Sequence, residues 1–487
     1  MSLPRYFIVL LAFAIFGLAS NQGPSAACGA DKPNVLFIAV DDLNDWVGCL
    51  GGNPQARTPN IDALAARGVN FYHAYCASPV CNPSRTALMS GLRSSTSGVY
   101  SNGIDRRGTP CDDVDALNTY FHNNGYYVAG CGKIYHGDGD QYGVWDEYGP
   151  KAEGDARPGK GENDGVGGIR FAPVDEKDED IGDYKTVTWC IEQLNKKHDK
   201  PLFLACGLHK PHMAWNVPRK YYDMFPLESI QLPTVTEGDL SDIPAAGVKM
   251  AKPQGDHAEM LKSGRWKEAV RGYLAAGAFC DAMIGRLMDG FDKSPYRDNT
   301  IVVFWGDHGW HLGEKEHWRK FALWEEATRA PLFYMVPGMT KPNSTCQRPV
   351  DFMSIYPTLC ELCGLDIPKH VEGVSVKKLL AKPQAKWDTP ALTTHEYKNH
   401  AIRTEKWRYI RYADGGEELY DEVADPNEWK NLADDPKYQS VKDELAEWMP
   451  KKNVPTPKEK IEQKKENRKN KRAKLEAKES KGVAKSQ

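Results

Sequence analysis

Val35-Leu36-Phe37-Ile38-Ala39-Val40-Asp41-Asp42 is a short apolar run that ends abruptly in two carboxylates. A run of this kind reads as a strand buried on both faces, the form taken by central parallel strands, with its polar residues at the carboxyl end. The pattern recurs at 126–129, 202–206 and 301–305, each followed by glycine or polar residues. Residues 60–67 and 114–123 have helical character between them. Strands alternating with helices predict an α/β sheet, and such sheets bind ligands beyond the carboxyl ends of their strands. Asp41-Asp42, Leu208-His209-Lys210-Pro211-His212 and Asp307-His308 stand at three of those ends.

At 487 residues the chain is too long for one simple core and predicts a large domain with a smaller one. Its hydrophobic fraction of 41% and charged fraction of 26% are ordinary for a soluble globular protein. A net charge of −3 supplies no long-range field for nucleic acid or a membrane surface. The charge is unevenly spread, because residues 451–487 hold 14 Lys or Arg against 5 Asp or Glu. This tail is basic and almost free of apolar residues, so it predicts a solvated, disordered or partly helical segment; attraction to glycan or cell wall is the alternative.

The first 27 residues read as an export signal: Arg5, an apolar run over 6–18, then small residues, with cleavage after Ala19 or Ala27. The run is shorter than the ~20 residues that span a bilayer. Cys28 after Ser25-Ala26-Ala27 has a weak lipoprotein character, but simple secretion, extracellular or periplasmic, is the expectation. The mature protein is not expected to be integral to a membrane. Residues 149–168 read as a surface loop, and a boundary falls within 383–390. Beyond it, 401–412 alternates like a strand, and Asp414-Gly415-Gly416 is a hairpin signal. The expected units are therefore 32–385, 390–450 and the tail. Export permits disulfides, yet twelve cysteines specify no framework. Cys360-Glu361-Leu362-Cys363 has CxxC spacing without a second cluster, which fits two core-facing helix positions better than zinc.

Two acidic groups after buried strands, Asp41-Asp42 and Asp307-His308, look like halves of one divalent-metal site, and hard carboxylate oxygens suit Ca²⁺ or Mg²⁺. Between them lies Cys81-Asn82-Pro83-Ser84-Arg85, followed by Thr86-Ala87-Leu88-Met89-Ser90-Gly91. This segment resembles the maturation signature of the type I sulfatases. In that family a sulfatase-maturating enzyme oxidises the Cys to formylglycine, whose hydrated aldehyde is the nucleophile. Cys76 gains nothing from the resemblance and reads as packing. Gly125-Tyr126-Tyr127-Val128-Ala129-Gly130-Cys131-Gly132-Lys133-Ile134-Tyr135-His136 resembles the second signature, with Val128 where Thr or Ser is usual. His-Lys-Pro-His at 209–212 and Asp-His-Gly-Trp at 307–310 are similar to the iduronate-2-sulfatase branch; many sulfatases carry Asn where His308 stands.

The resemblance covers about 32–448 and implies an alkaline-phosphatase-like fold: a large mixed sheet flanked by helices, with a small C-terminal antiparallel sheet. It implies one calcium ion held by Asp41, Asp42, Asp307, His308 and the modified Cys81. Arg85 would hold the charged nucleophile, and Lys133 would steady nucleophile and sulfuryl oxygen. His209 would bind sulfate and protonate the departing sugar oxygen. His136 would deprotonate the aldehyde hydrate, so that C–O scission frees sulfate and restores the aldehyde. Lys320 takes the place of the second sulfate-binding lysine, with Lys315 as the competing assignment. The implied substrate is a sulfated polysaccharide or oligosaccharide, in particular a 2-O-sulfated uronate, with Trp310, His212 and Trp318 as candidates for choosing the sugar. A phosphodiesterase or phosphonate hydrolase of the same superfamily and a non-catalytic sulfated-glycan-binding protein are the alternatives.

Overall fold

The computed structural model describes residues 32–137, 142–151 and 165–456. The expected export segment, most of the 149–168 loop and nearly all of the basic tail lie outside the described residues.

The apolar run at 35–40 is strand β1 (Asn34–Val40), buried along its whole length. It belongs to an eight-stranded sheet with β2 (Val69–Phe71), β3 (Tyr127–Gly132), β4 (Glu147–Tyr148), β5 (Leu202–Leu208), β6 (Thr300–Gly306), β7 (Leu332–Met335) and β8 (Ser344–Cys346), in the order β8-β2-β7-β6-β1-β5-β3-β4. β1 lies between β5 and β6 and runs parallel to both, with Ile38 opposite Cys206 on one side and Phe304 on the other. β3 and β4 extend the parallel part. β7 is antiparallel to both β6 and β2, which makes the sheet mixed.

Parallel strands carry helices on both faces because their crossovers must go somewhere. Four helices matter here: α1 (Cys81–Ser90), α2 (Gly182–Asn195), α3 (Trp266–Lys293) and α4 (Ile355–Leu362). Side chains alternate along a strand. Leu36, Ile38 and Val40 therefore meet α2 and α3, whereas Val35, Phe37 and Ala39 join the apolar residues of α1 and α4. Cys360 and Cys363 are both buried in that second cluster, as core-facing positions. Cys76 is packed there too.

The expected helices at 60–67 and 114–123 are Pro59–Ala66 and Leu117–Asn123. The strands expected at 126–129 and 202–206 run on to Gly132 and Leu208, because Cys131 and Gly132 still pair in register with Cys206 and Gly207. Both strands thus reach the residues that bear charge.

The small sheet is β9 (Ala391–Thr394), β10 (His400–Arg403), β11 (Trp407–Arg411) and β12 (Glu417–Asp421), antiparallel throughout. The alternating segment 401–412 is two strands, divided by a tight turn in which Thr404 N–H donates to Trp407 O at 2.9 Å. Nothing in Thr404-Glu405-Lys406 marks that turn, since it contains neither glycine nor asparagine. The signal at 414–416 does make its hairpin, with Gly415 at φ 94°. One face of the sheet packs Ile402, Tyr409 and Leu419 against Leu445 and Met449. The other packs Ala401, Ile410 and Tyr420 against Ala322, Leu323, Trp324 and Ala327. Past residue 450 the chain returns to the helix over 94–97, with Val454 N–H donating to Ser95 O at 2.8 Å.

Arg408, fully buried on β11, ties the small sheet to the segment that carries Glu325. It pairs with Glu325 and Glu428 and lies 3.0 Å from Glu422. Removing this cation would strand buried carboxylates, which typically costs about 3–5 kcal/mol. Arg408→Met should lower unfolding free energy by about that amount in denaturant titration, and a loss below 1 kcal/mol would show the network to be ornamental.

Candidate active site

The site is assembled where β1, β3, β5 and β6 end. Asp41 and Asp42 follow β1, and Asp42 sits in the left-handed region at φ 60°, which aspartate tolerates better than most residues. That kink is held from two sides. Asp42 N–H donates to Asp307 Oδ1 at 3.0 Å, and Tyr273 of α3 donates its hydroxyl to Asp42 O at 2.8 Å. Asp307 follows β6, with its N–H on Val40 O at 3.0 Å. Two strand ends therefore fix three carboxylates as one rigid group.

α1 begins at the site. Cys81 is its first residue and is fully buried. Residues four apart share a helix face, so Arg85 looks the same way as Cys81. Its Nε donates to Asp307 Oδ2 at 2.8 Å, Nη2 lies 3.6 Å from Asp41 Oδ1, and Nη1 donates to Lys133 O and Ile134 O. Ser84 Oγ donates to Asp307 O at 2.6 Å. Asn82 is pinned by Asn102 and by the carbonyls of Ser101 and Ile104.

Lys133 and His209 owe their places to two glycines. A Cβ on Gly132, at φ 77°, would meet Gly207 O at 2.1 Å, and one on Gly207 would meet the Lys133 backbone at 2.3 Å. This close crossing lets Lys133 N–H reach Gly207 O at 2.9 Å. The Lys133 ammonium pairs with Asp41. His209 Nδ1 lies 3.8 Å from Asp41 Oδ2, and His212 Nε2 lies 3.9 Å from Asp42 Oδ2. Lys320 arrives on a loop between left-handed Arg319 (φ 75°) and Phe321 (φ 77°). Its Nζ donates to Cys81 Sγ at 2.8 Å and to Asp42 Oδ1 at 2.6 Å. Lys315 is instead buried elsewhere, 2.7 Å from Asp239, so the competing assignment falls.

Burial works against every charge here, and proximity decides the outcome. It pushes Asp41 and Asp42 upward, but Lys133 and Lys320 more than offset this and hold both carboxyls below their usual range. Asp307 is pushed up by burial and by Asp41. Burial, then Asp41, raises the Cys81 thiol, so it is neutral at physiological pH. Burial and Lys133 lower His136 to about 4; burial and His212 lower His209 to about 3. His136 is half-buried on the Lys133 turn and makes no hydrogen bond to Cys81.

The donor set fits a divalent cation. Ligand atoms of Asp41, Cys81, Asp307 and His308 lie within 4.8 Å of one another, as do those of Asp41, Asp42, Cys81 and His212. Asp41 Oδ1 and Asp42 Oδ2 are buried without a hydrogen-bond donor. His308 Nδ1 meets Gly309 O at 3.0 Å and His212 Nδ1 meets Met213 O at 2.6 Å. A carbonyl only accepts, so Nδ1 carries a proton in each ring, and Nε2 faces the space that a cation between the carboxylates would fill. His212 is thus closer to the metal-binding atoms than its sequence context indicated; its only signal is the three-residue spacing from His209. Trp310 and Trp318 are a correction. They are 1% and 2% exposed, packed in the core, and cannot face a sugar. Trp310 lies instead beneath Lys320, whose Nζ is 5.5 Å from its ring centre.

Residues 33–365 match the family model described as Sulfatase. The chain belongs to the sulfatase family. Residues 313–454 also match the model of the N-sulphoglucosamine sulphohydrolase C-terminal region. A sulfatase of Formosa agariphila is 40% identical over 478 residues, covering 92% of each chain. Iduronate 2-sulfatase of Mus musculus is 29% identical over 416 residues, covering 74% of each. Among solved structures, a phosphonate monoester hydrolase of Agrobacterium radiobacter superposes with a TM-score of 0.72 at 21% identity, covering 85% of this chain and 94% of that one. This sulfatase is accordingly a sulfuric ester hydrolase of alkaline-phosphatase-like fold.

The glycine crossing gives a direct check. A Gly207→Ala substitution in this sulfatase must displace the Lys133 backbone, and a shift of about 1 Å at a reacting centre costs on the order of 10² in rate. Sulfate release should fall by about that factor while the circular dichroism spectrum is kept; unchanged turnover would mean that the crossing does not position Lys133.

Proposed function

We propose that this protein hydrolyses sulfate esters of a sulfated polysaccharide or oligosaccharide, using a formylglycine derived from Cys81 and one calcium ion. The observation that carries the reading is the placement of Cys81: it opens a helix beside Lys320, His308 and Asp42, within a segment that resembles the maturation signature. When present, the hydrated formylglycine supplies an oxygen nucleophile, and calcium supplies positive charge for it and for the sulfuryl oxygens.

Asp41, Asp42, Asp307 and His308 would hold the ion, with position 81 completing the set. Charge counting supports an anionic substrate. Asp41, Asp42 and Asp307 are matched by Arg85, Lys133 and Lys320, so a divalent cation leaves a net positive site for the singly charged sulfate ester. Arg85, fixed by Asp307, would hold the nucleophile's charge. Lys133 and Lys320 would take the sulfuryl oxygens, and His209, whose ring is partly exposed, would protonate the leaving sugar oxygen. The anionic sulfate would offset the cationic neighbours that lower this imidazole. His136 would act as the base toward position 81. Losing one such charge-stabilising group typically costs about 10²–10³ in rate.

A 2-O-sulfated uronate is the proposed sugar, on the strength of the likeness to iduronate 2-sulfatase. Export is proposed from the character of the N-terminal segment; among the described residues no helix is long and apolar enough to cross a membrane. A sulfatase-maturating enzyme is then a required partner. The second reading, a phosphonate or phosphodiester hydrolase, is favoured by the fold likeness to the phosphonate monoester hydrolase.

Two measurements test this. The peptide spanning Cys81, from protein co-expressed with a maturating enzyme, should carry the formylglycine mass; an intact thiol, with a control sulfatase matured in the same cells, refutes the chemistry. Asp41→Asn should lose bound calcium by elemental analysis and sulfate release by about 10²-fold or more. Faster release of phosphonate than of sulfate from matched aryl esters would move the assignment to the second reading.

A further inference from the structure

Among the groups that the proposed chemistry leaves unused, one is joined directly to it. Asp183 lies in the first turn of α2 and is 4% exposed. Its Oδ1 accepts the backbone N–H of His209 and its Oδ2 accepts that of Lys210, both at 2.8 Å. Two successive N–H groups at the end of β5 are thus gripped by one carboxylate. The chain then turns sharply: His212 N–H donates to His209 O at 2.8 Å, and the Lys210 ammonium is led away to Ala214 O. The result puts both imidazoles on the side of Asp41 and Asp42. The same helix also lies close to the Lys133 turn: a Cβ on Gly132 would meet the Thr186 methyl at 2.7 Å, with Thr186 one turn on from Asp183.

We propose that Asp183 is a positioning residue of the reaction, setting the angle at which the His209 imidazole meets the leaving oxygen. The proposal rests on the reading of His209 as the general acid. Only a carboxylate suits the place. It offers an acceptor to each N–H, whereas a carboxamide offers one acceptor and turns its own N–H against the other donor. The carboxylate also sits at the N-terminal end of a 14-residue helix, where negative charge is favoured. The link is mechanical: helix α2 is seated on the sheet, Asp183 is seated on the helix, and the histidine turn is seated on Asp183.

The test uses matured full-length enzyme and a series of aryl sulfates whose phenols span acidic to weakly acidic leaving groups. A good leaving group needs no proton, so the slope of log kcat/KM against leaving-group pKa reports on the acid, whatever fraction of enzyme is active. Wild type should give a shallow slope. Asp183→Asn should steepen it, losing about 10²-fold on the poorest leaving group and far less on 4-nitrophenyl sulfate. His209→Ala should steepen it as well, and the double variant should be no steeper than His209→Ala alone. A uniform loss in Asp183→Asn with the wild-type slope, or slope changes that add in the double variant, would overturn the proposal. If His209→Ala itself keeps the wild-type slope, the general-acid reading fails and this inference falls with it, a result distinguishable from failure of Asp183 alone.

Discussion

The constraint on which the rest depends is the burial of three carboxylates, Asp41, Asp42 and Asp307, at adjacent ends of a parallel sheet. Taking such charges out of water costs several kcal/mol each unless partners are supplied. Arg85, Lys133 and Lys320 come from three separate segments to supply them. A helix N-terminus, a strand end and a loop must therefore converge on one spot before the fold is electrostatically tolerable. The convergence demanded by stability is also the convergence that chemistry on an anion requires.

Much of this was legible beforehand, for identifiable reasons. β1 could be read because a strand buried on both faces must be continuously apolar, and its charged end because ligand chemistry sits at carboxyl ends. Cys81 and Arg85 are linked within one helical turn, so local sequence contains their geometry. Lys320 is different. Motif spacing favours it over Lys315, but the loop that brings it to Cys81 has left-handed residues at Arg319 and Phe321, and neither residue type announces such a turn. Trp310 and Trp318 misled for a related reason: an aromatic beside a charged motif has the composition of a sugar platform, and only packing reveals that both are core. Asp183 could not be found at all, since its partners are backbone amides 26 and 27 residues away and leave no side-chain pattern.

The small C-terminal sheet takes part in the arrangement too. One of its faces packs on Ala322, Leu323, Trp324 and Ala327, directly after Lys320, and Arg408 fastens Glu325 in the same stretch. Phe321 N–H is held by Pro79 O at 3.1 Å and Lys320 O by His317 Nε2 at 2.7 Å. The lysine that touches position 81 is therefore gripped from the helix side and from the sheet side at once. The two sheets' surroundings thus meet at the candidate site.

Cys81 is fully buried, beneath a lysine and between carboxylates, in the first turn of a helix whose ten residues are all buried. A modifying enzyme cannot reach the Cys81 side chain while it is buried in this helix. Under the proposed chemistry, oxidation and folding are thus in a race that oxidation must win. A chain that folds first keeps its thiol shielded until it opens again, so under this chemistry the yield of active protein depends on the order of events during synthesis as well as on stability afterwards.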